Sequence, residues 1–177
     1  MRSRFLPYSL MILALLLLAL PAAAQDDPVK AAYKAARAHY DAGDKDRACE
    51  EFAAIARDHP RHPVAVYAAH LHLDCLNLSK RYEELGRAAA DYLKTGRIRD
   101  PEFIVTAAAI VQSVRFKRCN ERFAKGPADE AARCFSDFAG AFPESPHADE
   151  ALFNAAVAFS KVGRMESAAT HYERLTR

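Results

Sequence analysis

The chain contains no tryptophan, no C-x-x-C pair, no alternating apolar run bounded by hairpin residues and no long run of like charge. Each absence excludes a class. Without an alternating run there is no half-buried strand, so the expected fold is all-α. Without C-x-x-C, redox catalysis and a zinc ribbon are both disfavoured. Gly86 stands alone in a helical stretch, without the glycines and lysine of a phosphate loop. It is read as a point of close helix contact, and no cofactor is expected. Charge of one sign is also missing. The full chain holds 25 Lys and Arg against 23 Asp and Glu, and two of the basic residues, Arg2 and Arg4, lie in the acid-free first 24 positions. The remainder balances at 23 against 23. With no basic footprint, nucleic acid is not an expected partner.

Those first 24 residues have their own grammar. Arg2 and Arg4 precede the apolar core Leu10–Leu20, Pro21 breaks it, and Ala22-Ala23-Ala24 offers a small-residue cleavage site before Gln25. This predicts a bacterial-type secretory signal peptide over residues 1–24 and a periplasmic or secreted mature chain. The apolar stretch from Phe5 to Leu20 is 16 residues long and contains Pro7, short of the ~20 that a spanning helix needs. An uncleaved anchor is therefore the weaker reading. No cysteine follows the core, so a lipobox is not supported. Residues 25–177 are read as one domain.

Alanine is abundant, which suits helices packed closely, and the helical pattern repeats. Pro60 and Pro63 are matched 83 residues later by Pro143 and Pro146. At the same offset Gly43 meets Gly126, Ala48 meets Ala131, Phe52 meets Phe135, Ala56 meets Ala139 and Ala68 meets Ala151. Small and aromatic residues at i, i+4 and i+7 form one helix face, and self-similarity at a fixed offset marks a repeat architecture. Capping residues followed by proline, at Asp27-Pro28, Asp100-Pro101 and Ser145-Pro146, predict helix starts. Gly126-Pro127 is read in the same sense, and Gly43, Gly126 and Gly163 predict stops. The expected helices are roughly 28–42, 45–58, 63–78, 80–94, 101–124, 127–141, 146–162 and 164–176. The fifth runs about seven turns and is expected to protrude beyond its neighbours.

The segment Ala148–Leu175 resembles a tetratricopeptide repeat, through Leu152, Ala155, Ala156 and Phe159, the turn Gly163, then Ala168, Tyr172 and Leu175. Gly43, Ala48, Phe52 and Pro60 match in a first unit, with Ala35 and Ala36. Gly126, Ala131, Phe135 and Pro143 match in a third. The second is weakest, with Tyr82 and Leu85 in place but Lys80 where the glycine belongs. The resemblance implies a right-handed α-solenoid of about four antiparallel hairpins, near 28–60, 63–94, 101–143 and 146–177. The long spacing and proline pairs are most similar to repeats of bacterial envelope proteins, of the outer-membrane assembly lipoprotein or Tol–Pal coordinator type. The missing lipobox departs from the former. No capping helix follows the last hairpin, so the chain is expected to be the repeat domain of a longer protein or to self-associate through an uncapped end.

Four cysteines in an exported chain suggest bridges. Residues equidistant from a turn face each other in a helical hairpin. Cys119 and Cys134 flank Gly126-Pro127, and Cys49 and Cys75 flank Pro60–Pro63. The expected pairs are Cys49–Cys75 and Cys119–Cys134, with four buried thiols as the alternative. His59, His62, His70 and His72 cluster in sequence, but His70 and His72 point apart on a helix, so no metal is expected. Cys75 with either histidine lacks an orienting group and an oxyanion site, so no catalytic residue is assigned.

The family lines its concave groove with the first helix of each hairpin. This implies a groove bearing Tyr33, Arg37 and Tyr40; Tyr67, His70 and Asp74; Phe116, Asn120 and Phe123; and Phe153 and Val157. Such a groove would take a peptide segment or helix of an envelope protein, with aromatic anchors. The alternative is that half of these residues pack between hairpins. The expected function is a non-catalytic protein–protein interaction scaffold, with any membrane association made through its partner. A self-associating structural subunit is the rival.

Overall fold

A computed structural model describes residues 27–176. The signal-peptide reading, its cleavage site and its anchor alternative lie outside the described residues. The helices are α1 (Pro28–Asp41), α2 (Lys45–Asp58), α3 (Ala65–Leu78), α4 (Tyr82–Thr95), α5 (Pro101–Lys125), α6 (Ala128–Ala141), α7 (Ala148–Lys161) and α8 (Met165–Arg174). No strand occurs among the described residues. Each helix packs on the next in a helical solenoid. No helix among them is long and apolar enough to cross a membrane.

The capping signals explain two starts directly. Asp27 accepts from the amides of Val29 and Lys30, and Asp100 accepts from Phe103 N at 2.8 Å. In both cases proline holds the first helical position, where its missing N–H is not needed. Two other expectations are corrected. Neither Pro63 nor Pro146 starts a helix, because each proline pair folds into consecutive turns before α3 and α7. His62 N donates to His59 O and Ala65 N to His62 O; Ser145 N donates to Phe142 O and Ala148 N to Ser145 O. Pro127 likewise precedes α6 in an extended conformation rather than opening it.

The 83-residue offset is therefore carried by the backbone itself, and it extends to side chains. Arg81 pairs with Asp46 and Arg164 with Asp129, both at the offset. Phe52 takes the rings of Tyr33 and Tyr40 at 5.8 and 6.2 Å. Phe135, its equivalent, takes Phe116 and Phe123 at 5.8 and 5.9 Å. The last turn matches in backbone but not in residue type: where Gly163 has φ +75°, Lys80 has φ +57°. A side chain in the left-handed region costs about 1–2 kcal/mol. We expect Lys80→Gly to raise unfolding stability by about 0.5–1 kcal/mol, part of the relief being offset by the freer unfolded chain. An unchanged or lower urea midpoint would contradict this. The first turn does not match: Gly43 has φ +86°, whereas Gly126, its equivalent, is extended at φ −106°, and a Cβ there would meet the Arg122 carbonyl oxygen at 2.9 Å.

The core has two centres. One holds Phe52, Leu73, Leu85 and Phe103. The other holds Phe116, Phe135, Phe138 and Phe159. Helix α5 serves both, with its front half in the first and its back half in the second. It does not protrude, because each half finds its own apolar partner. Nor does α4 pair chiefly with α3: it shares more surface with α5. Gly86 makes that approach close, since a Cβ built on it would lie 2.8 Å from Val114 Cγ1. Lys117 also places its ammonium 3.2 Å from the centre of the Tyr82 ring, and Arg118 pairs with Glu83.

Candidate functional site

The front half of α5 stands opposite α3, with α4 beneath, and the three enclose an open trough of about 760 Å³. His70, Asp74 and Asn77 at i, i+4 and i+7 form one wall. Val105, Ala109, Ser113 and Lys117, at intervals of four, form the other. The buried side chains of Leu73 and Leu85 make the floor. The surface is mostly apolar, with one acid and one base along it.

Its polar groups are held in place. The Tyr40 hydroxyl donates to the Asp74 carboxylate and so ties α1 to α3. That hydrogen bond, with burial, pushes the Tyr40 hydroxyl up to about 12, so it remains a donor at any ordinary pH. Lys45 donates to the Tyr40 carbonyl at 2.8 Å and covers the Tyr40 ring. The His70 ring meets Phe103 edge-on at 5.0 Å. Tyr67, one turn before His70 on α3, is 60% exposed, and Val105 across the trough is 70% exposed.

Of the expected groove residues, the structure brings His70 and Asp74 into this trough, with Tyr67 beside them and Tyr40 in support. The others are placed elsewhere. Tyr33 packs on Phe52, and Arg37 forms a surface ion pair with Asp41. Phe116 is a core residue, stacked flat on His147 at 4.5 Å and packed on Phe135 and Phe138. Asn120 is half-buried. Phe123 is half-buried against Phe135, under the Lys161 ammonium. Phe153 is 50% exposed but faces Tyr172 on α8, and Val157 is half-buried behind it on α7. The α5 wall was missed because the helix was read only through its back half. Its i, i+4 row of small residues was the available signal.

The cysteines divide. Cys119 and Cys134 are in contact across α5 and α6, their Cα atoms 5.4 Å apart, a separation that a bridge fits. The other expected bridge is absent, since Cys49 and Cys75 are free, buried thiols lying side by side. Burial first, then the neighbouring Cys75 thiol, pushes Cys49 far above the ordinary thiol value, and burial raises Cys75 as well. Cys75 donates to the Lys45 carbonyl at 3.5 Å.

The histidines also disperse. His62 pairs with Asp27, and His72 Nδ1 lies 3.0 Å from the Tyr92 hydroxyl. No group of three or more His, Cys, Asp or Glu among the described residues could hold a metal ion. Burial, and to a lesser degree the charge of Arg81, moves His72 down to about 4, with Glu84 opposing. As pH falls from about 6.5 to 4, the unfolded chain takes up a proton that the folded chain refuses. Stability present above pH 6.5 is thus lost on acidification, by on the order of 2 kcal/mol from this ring. We expect His72→Gln to flatten the acid limb of the stability profile. Parallel wild-type and variant profiles between pH 4 and 6.5 would exclude the assignment.

Residues 30–62, which span most of α1, all of α2 and the start of the first proline turn, match the family described as tetratricopeptide repeat. No curated protein matches the chain. Tetratricopeptide repeats generally mediate protein–protein interaction and are not a catalytic family, in keeping with the helical solenoid observed here.

Proposed function

We propose that this protein is a non-catalytic interaction scaffold of the bacterial cell envelope that holds a peptide segment or helix of a partner protein in the α3–α5 trough. The carrying observation is the trough itself, an open, largely apolar channel with exposed Val105 on its α5 wall, polar groups already oriented on its α3 wall, and exposed Tyr67 one turn before that wall begins. Apolar anchors supply binding energy and fixed polar groups set register. Export is supported by the pattern of residues 1–24 and by the pairing of Cys119 with Cys134. The balanced charge favours a protein partner over nucleic acid.

In-cell crosslinking from a photoreactive residue at Ser113, followed by isolation from the envelope fraction, tests the reading. Val105→Asp and Tyr67→Ala should each reduce the specific adduct at least several-fold while leaving the helical spectrum unchanged. An undiminished adduct in both variants would sink the trough as the site. Self-association is a second reading, favoured by the exposed patch of Phe153, Met165 and Tyr172 on the last hairpin. Light scattering that shows a monomer at high protein concentration removes it.

A further inference from the structure

On the side of α5 turned away from the trough lies a second opening, of about 450 Å³. Arg115, Arg118 and Arg122 line it from α5, at i, i+3 and i+7. Arg118 follows Ala109, and Arg122 follows Ser113, by nine residues or about two and a half turns, which puts them on opposite faces of the helix. Helix α6 adds Glu130, Arg133 and Asp137, and Cys119 and Cys134 also line the cleft. Four guanidiniums face two carboxylates here, a net of +2. Arg118 is paired outward with Glu83, and Arg133 with Asp129. Arg115 rests over the Phe142 ring at 5.0 Å. Among the described residues, neither Arg115 nor Arg122 has a carboxylate within ion-pair distance. Cys119 is buried, whereas Cys134 is half-buried.

We propose that this cleft is a thiol–disulfide exchange site for small anionic thiols, with the arginines gathering the reagent and Cys119–Cys134 as the exchanging bond. The proposal rests on the two cysteines being bridged in the exported protein, and it is independent of what occupies the trough. An incoming thiolate attacks Sγ of Cys134, the less buried of the two residues. A bond forms between the two sulfurs, the Cys119–Cys134 bond breaks, and its electron pair leaves on Cys119 as a thiolate. Burial of Cys119 opposes that thiolate, and the guanidinium charge lining the cleft offsets the burial; a lower leaving-group pKa speeds exchange. A second thiolate then attacks the reagent's sulfur in the mixed disulfide and releases Cys134 as a thiolate. Two reagent thiolates are thereby oxidised to their disulfide, and one protein disulfide is reduced to two thiolates. Burial of Cys119 directs the first attack to Cys134, and cleft charge selects the reagent. Glu130 and Asp137 oppose an anion, so discrimination is set by the arginine excess.

The test compares three probes of similar size and different charge: mercaptoethanesulfonate, 2-mercaptoethanol and cysteamine. Rates of bridge opening in the intact protein are followed by mass spectrometry after acid quench and expressed per thiolate. At low ionic strength the sulfonate should react ~10-fold or more faster than cysteamine, and the spread should collapse in high salt. Arg115→Gln/Arg122→Gln should reduce the spread, and Glu130→Gln/Asp137→Asn should widen it, so the proposal does not depend on one variant folding. Equal rates for all three probes, or faster reaction of the cation, would overturn it. Four alkylatable thiols in the untreated, denatured protein would also overturn it, by showing that no bond exists to exchange, and would leave the trough reading standing.

Discussion

Phe135→Ala is expected to lower the free energy of unfolding by about 3–5 kcal/mol, the range for deleting a buried phenylalanine ring. The ring is fully buried. It stands between Phe116 and Phe123 on one side of its centre, with Phe138 close by. The walls resist closing over the gap, because α5 and α6 are tied together at Cys119 and Cys134. Urea unfolding measures the loss. The equivalent change, Phe52→Ala, should cost a similar amount in the other centre, where Tyr33 and Tyr40 occupy the matching positions. A loss below about 1 kcal/mol at Phe135 is outside the range for a large-to-small core change and would falsify its central place.

Replacing Cys119 and Cys134 together by alanine is expected to cost about 3 kcal/mol, the chain-entropy value for a loop of this length. The sequence separation is 15. The cross-link restricts the unfolded chain more than it strengthens the folded one. Reductant should therefore lower the thermal midpoint of the wild type and leave the double variant untouched. Replacing Cys49 and Cys75 removes buried packing and the Cys75 hydrogen bond to the Lys45 carbonyl, with no response to reductant. Denaturing alkylation before reduction should find two thiols, those of Cys49 and Cys75. Equal midpoints with and without reductant would remove the bridge from the account.

Much of the fold was legible because its signals are local. Asp27-Pro28 and Asp100-Pro101 mark helix starts through a cap and a missing donor, both properties of adjacent residues. The duplication was legible because apolar, proline and turn positions survive an 83-residue shift, and the hydrogen bonds follow. The trough was only partly legible. Tyr33, Tyr40, Phe116 and Phe123 form equivalent sets at that shift, but they face Phe52 and Phe135 inside the hairpins. An aromatic at a groove-like spacing cannot be told from one that packs against the following helix until both helices are placed. The front of α5 was hidden for a related reason. Residues 101–110 precede any counterpart of α1 at the 83-residue shift, so the repeat says nothing about them. Matching heights along paired helices allow contact at both cysteine pairs, and the structure brings Cys119 and Cys134 together while leaving Cys49 and Cys75 as buried thiols.

The continuity of α5 sets a length scale for the molecule. Phe103 and Phe116 belong to different hydrophobic centres yet lie on one uninterrupted helix. Their separation of thirteen residues corresponds to about 20 Å. A rod between two anchored masses works as a gauge block: a ligand long enough to touch both must carry its own footholds at that spacing, since the rod resists being shortened to meet it.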